Sequence, residues 1–202
     1  AWVQQREDAD RDPQGRYVGR HKTQLATVRS LTTGALDEIR GALQSVDLTA
    51  DESAVYAECR TLDQSVVWLQ RLWTYIQAKF DQRDDPDPRV GQVLRAADEV
   101  IWSCYHQVLT RAKLFGAKVR GAPVEHGPPP LAFIEPEYSP VALPSGQPLP
   151  ANLELPPGLD FMGDEFRSLP LPVVRLPPWC LDAPWWLIYV AHEVGHHVQN
   201  DL

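Results

Sequence analysis

The sequence predicts a mainly α protein. An up-down-up three-helix bundle leads into a proline-rich extended strap, then a short edge strand and one last helix. Three observations carry this. Apolar residues recur at steps of three and four between about residues 16 and 119, in three long stretches uninterrupted by proline. Sixteen of the nineteen prolines then fall between Pro123 and Pro184, which excludes helix over most of that stretch. After Pro184 the chain is free of proline and rich in apolar side chains. Four segments are expected: a polar lead-in over 1–15, the bundle over 16–119, an extended connector over 120–168, and a terminal unit over 169–202.

Taken in order, the lead-in is polar and charged, with Asp8, Asp10, Asp12 and Pro13, and reads as loose chain. The first helix carries Leu25, Val28, Ala35, Ile39, Ala42 and Val46 at helical spacing. The second runs Val55, Cys59, Leu62, Val66, Leu69, Trp73, Ile76 and Phe80, and Thr49 with Glu52 reads as its capping box. The third opens at Asp87-Pro88 and runs Val90, Leu94, Ala97, Ile101, Cys104, Val108, Ala112 and Phe115. The links at 47–50 and 81–87 are short, which makes neighbouring helices antiparallel. The acidic cluster Asp81, Asp84, Asp85 and Asp87 reads as a solvated turn and cap, since it lacks calcium-loop spacing.

The connector holds Phe133, Ile134, Tyr138, Val141, Leu153, Phe161, Met162 and Phe166, more apolar surface than a solvated linker needs. An ordered strap packed over the bundle and the last helix is therefore expected. Val173, Val174, Arg175 and Leu176 form a short strand between Pro172 and Pro177, and proline at its ends implies an edge position.

Charge narrows the partners. A formal net charge of −8 and a pI near 5.2 argue against nucleic acid or an anionic membrane. The longest apolar run, Trp185 to Ala191, is too short to span a bilayer. Cys59, Cys104 and Cys180 show no paired spacing, which favours free thiols and a reducing, cytoplasmic setting. Cys59 and Cys104 fall on apolar helix faces and read as buried.

The chemistry concentrates near the end. From Asp182 the chain reads DAPWWLIYVAHEVGHHVQNDL, with Asp182 as a candidate N-cap and Pro184 in the first turn. Trp185, Ile188, Val190, Ala191, Val194 and Val198 would bury most of this helix. His192 and His196 lie four residues apart and present their rings on one face, so both can reach a single metal ion. Glu193 stands about 100° of turn from His192 and can act on a water without being a ligand. His197 projects away from that pair and reads as a supporting or exposed residue. Gly195 reads as a point of close approach by another segment, and Asn200 as a cleft-lining or capping residue.

His192-Glu193-Val194-Gly195-His196 is an HExxH motif and resembles the zincin metallopeptidases. Gln199 and Leu202 replace the Gly and His of the metzincin pattern, so the likeness is to the gluzincin branch. AHEVGHHVQN is also locally similar to the active-site helix of bacterial neutral zinc metallopeptidases. The resemblance implies a zincin-like α+β catalytic unit that begins near residue 169. It also implies a zinc-dependent peptidase in which His192 and His196 bind Zn2+ and Glu193 is the general base for a zinc-activated water. In gluzincins the third ligand is a Glu on a later helix, so the chain is expected to be a fragment that lacks it and is inactive alone. Val173, Val174, Arg175 and Leu176 are the expected substrate-pairing edge, for a peptide or protein substrate. The alternative is a non-catalytic interaction module, with HExxH incidental and a protein partner bound through the bundle or strap. A zinc-blocking role for Cys180 finds no matching motif in PPWCLDAP.

Overall fold

Each of the three long apolar repeats forms a helix: α2 (Lys22–Ser45), α3 (Glu52–Asp81) and α4 (Pro88–Leu114). The computed structural model describes residues 1–9, 19–114, 118–119, 122–123, 128–136, 141–150, 153–156, 159 and 161–201. Phe115 and Tyr138 lie outside them. α3 is capped by Asp51, whose carboxylate accepts the Ser53 N–H at 3.1 Å, while Thr49 bonds Asp47. The capping residue is thus Asp51, not Thr49. Asp87 caps α4 through the Arg89 N–H at 3.0 Å, and Pro88 occupies the first turn, where its missing N–H costs nothing.

The lead-in departs from its expected looseness. Trp2–Ala9 is a helix, α1, which docks on the end of α3. The Trp2 ring meets Trp73 and Phe80 edge-on at 5.3 and 5.7 Å, and its Nε1 donates to Asp81. Arg6 bridges Asp81 and Asp84. Aromatic burial and a paired guanidinium fix a segment whose composition alone gave no helix signal. Asp10, Asp12 and Pro13 lie outside the described residues.

The three helices do not share one core. Leu25, Val28, Ala35 and Ile39 of α2 pack with Leu62, Trp68, Leu69, Leu72, Ile76 and Phe80 of α3 in one cluster. Leu94, Ala97, Ile101 and Tyr105 of α4 belong to a second cluster, shared with the last helix, α5 (Leu187–Asp201). Between the clusters lies a three-stranded sheet of β3 (Leu131–Ile134), β4 (Val141–Leu143) and β5 (Val173–Leu176). Its faces alternate as strand geometry requires: Leu131, Phe133 and Val173 join the first cluster, while Ala132, Val174 and Leu176 join the second. The result is a layered arrangement of helical hairpin, sheet and helical pair, in place of the expected bundle. A separate two-stranded ladder pairs β1 (Lys118–Val119) with β2 (Ala122–Pro123).

The expected boundaries at 119/120 and 168/169 also do not separate units. Strands β3 and β4 come from the strap, β5 from the terminal segment, and all three form one sheet. The strap is ordered where described. Leu149, Leu153, Leu159, Met162, Phe166, Leu169 and Leu171 are buried against α2 and α3, and Trp68 Nε1 donates to the Leu153 carbonyl at 2.9 Å. Each such side chain contributes about 1.5–3 kcal/mol of burial.

A buried charge cluster ties the 3-10 turn after α3, Gln82–Asp84, to α4. Arg83 grips both oxygens of Asp98 at 2.8 and 2.6 Å, and His21 Nε2 stands 3.3 Å from the same carboxylate. Burial pushes Asp98 towards the neutral form, but Arg83 and His21 overcome it and hold the carboxyl well below its usual range. Gly91 makes this approach feasible: a Cβ there would meet the Arg83 carbonyl at 2.7 Å.

Candidate metal centre

Two 3-10 segments, Pro178–Asp182 and Pro184–Trp186, carry the chain from β5 into α5. α5 therefore begins at Leu187, five residues after the expected cap, and Asp182 instead pairs with Arg89 at 3.1 Å. Trp186, Val190, Val194 and His197 form the buried face of the helix, which packs beside α4 and under β4 and β5. The opposite face carries Trp185, Ile188 and Tyr189, exposed by 64%, 72% and 48%, together with exposed Ala191, His192 and His196. Trp185, Ile188 and Ala191 are therefore not core residues. The buried stripe keeps Val190 and Val194 and is instead led by Trp186.

The two motif histidines are brought together. Their Nε2 atoms lie 3.1 Å apart, with ring centroids at 4.7 Å and planes at 86°. That separation lets one neutral ring donate to the other. It is also close to the spacing of about 3.3 Å between two nitrogens on one tetrahedral zinc. Glu193 is half-buried on the same helix, one residue from His192. In donor type, convergence and solvent access, the pair fits two of a zinc ion's ligands. A third donor does not accompany them: among the described residues no group of three or more His, Cys, Asp or Glu side chains converges.

The other candidates are placed elsewhere. His197 is 3% exposed and faces inward, so the exposed reading of it fails. A Cβ on Gly195 would meet nothing within 4 Å, so no described segment makes the expected close approach. His21 is committed to Asp98, and exposed His106 stacks on Trp102 at 5.1 Å. His126 and the side chain of Asn200 lie outside the described residues. Cys180 is buried, and burial pushes its thiol up to about 11, which suits a packing role. Cys104 is half-buried and Cys59 is exposed, against the burial expected for it; all three thiols are free.

Val173–Leu176 forms the expected strand, but it is the central one. Val173, Val174 and Arg175 pair with β3 on one side and with β4 on the other. Its backbone groups are taken, so this strand cannot pair with extended substrate. Pro172 and Pro177 bracket the paired residues without interrupting them, and the near-continuous apolar run signals burial on both faces. The outer side of β3 is closed by side chains. Gln82 exchanges two 2.8 Å bonds with the Ile134 backbone, Arg83 donates to the Ala132 carbonyl, and Gln24 to the Pro129 and Pro130 carbonyls. β4, antiparallel to β5 and packed against α5, is the other edge and has a strand neighbour on one side only among the described residues. The sequence signal for it was a three-residue apolar run, Val141-Ala142-Leu143, between Pro140 and Pro144. Comparison with protein-family models, curated proteins and solved structures finds no match for this chain.

Proposed function

We propose that the chain carries part of the active site of a zinc-dependent peptidase, gluzincin-like, with His192 and His196 as metal ligands and Glu193 as general base. The observation that carries the reading is the 3.1 Å convergence of the two Nε2 atoms on one exposed helix face. When bound, zinc would supply a Lewis acid that polarises a peptide carbonyl and makes water a nucleophile near neutral pH. The chain's own residues do the rest. His192 and His196 present their imidazole nitrogens from one helix. Glu193 takes a proton from the attacking water and passes it to the leaving amine. Edge strand β4 offers backbone groups to an extended peptide beside α5, the role first expected of β5. The free thiols support a reducing, cytoplasmic setting as part of the same proposal.

Zinc affinity, measured by competition with a chromophoric chelator, tests the assignment. His192→Ala and His196→Ala should each weaken binding by at least about tenfold, while Glu193→Gln should leave it nearly unchanged. Equal affinity in all four proteins would reject the site and leave the non-catalytic interaction module as the reading. Where a third ligand is supplied and hydrolysis of an unfolded protein is measured, Glu193→Gln should lower it by about 10²–10⁴-fold with zinc retained.

A further inference from the structure

The exposed face of α5 combines two features that one occupant satisfies. Ile188, His192 and His196 follow one another on α5 at steps of four, close to the repeat of a helix–helix seam, and Trp185 stands three residues before Ile188 in the 3-10 segment that leads into the helix. Large apolar side chains left in water at the head of that seam, Trp185, Ile188 and Tyr189, mark a surface built to be covered. Below them the His192–His196 pair offers two converging nitrogens, and zinc in a closed site takes four.

We propose that the occupant is a second copy of this chain, with one zinc held between two α5 helices by the histidine pair of each. A two-fold axis running along the helices sets each residue of the seam against its own equivalent, the isologous pattern of a closed dimer. Ile188 then packs on the partner's Ile188, and four imidazoles complete a tetrahedron below. The inference rests on the reading that this pair holds zinc, and it adds a regulation. A four-imidazole site has no position left for water or substrate, so the paired form is a closed, resting state.

Sedimentation velocity of the 202-residue protein, with and without zinc, together with zinc content per chain, tests this. A monomer without metal should double its mass on adding zinc, bind one zinc per two chains and revert with EDTA. Ile188→Glu, at a position already 72% exposed, should stay folded by circular dichroism and stay monomeric in zinc. His196→Ala should neither pair nor keep the metal. A monomer holding one zinc per chain would overturn the pairing while leaving the metal-site reading intact. No retained zinc would end both. Pairing that persists without zinc or in His196→Ala would overturn the shared site.

Discussion

Asp98 shows how one side chain sets conditions for the whole fold. It is buried between Arg83 and His21, and removing it leaves a buried guanidinium without its carboxylate. Asp98→Ala should therefore cost about 3–5 kcal/mol in urea unfolding at pH 7. The sign of the acid dependence follows from its depressed folded pKa. Its contribution is complete above the usual carboxylate range near 4 and is lost as pH falls through the lower folded value. Wild type should lose stability between about pH 4 and 2, whereas Asp98→Asn should lose less over the same interval. Two glycines make opposite predictions. Gly91→Ala drives a Cβ into the Arg83 carbonyl and should destabilise by about 1–3 kcal/mol. Gly195→Ala meets open space in mid-helix and should stabilise by about 0.5–1 kcal/mol without weakening zinc binding. Thermal melts of both variants check these signs.

At the scale of elements, periodicity made the helices legible but not their neighbours. Helices α2, α3 and α4 are correct in type and nearly correct in extent, because a helix face is written locally at steps of three and four. On α3, however, Cys59 and Val66 of the expected stripe are exposed and Trp68 and Leu72 are buried instead. Which face covers which is not written locally. α4 could have completed a bundle, and a sheet assembled from strap residues far along the chain separates it from α2 and α3 instead. The approach of His192 to His196 was legible for the same local reason, since residues four apart on any helix are neighbours. The edge strand was not. Proline at both ends marks Val141–Leu143 and Val173–Leu176 alike, and only register tells the outer strand from the central one. The side-chain caps on β3 were also hidden, because Gln82 and Ile134 are 52 residues apart. Gln82→Leu should strip two bonds from that edge, cost about 1–3 kcal/mol and raise aggregation on partial unfolding, measured by light scattering during a urea titration.

For the molecule as a whole, the layers explain why the candidate centre sits where it does. Hairpin and strap bury one face of the sheet, α4 and α5 bury the other, and α5 turns His192 and His196 away from both cores. The helix is anchored by Trp186, Val190 and Val194, so His192 and His196 rest on packed structure and not on a loop. No described helix is long and apolar enough to cross a membrane. X-ray absorption at the zinc edge, on the zinc-loaded protein and on His196→Ala, tests the central claim most directly. At least two imidazole nitrogens at about 2.0–2.1 Å, lost together with the metal in His196→Ala, is the predicted result. Zinc bound without imidazole scattering, or held equally well by His196→Ala, would contradict it.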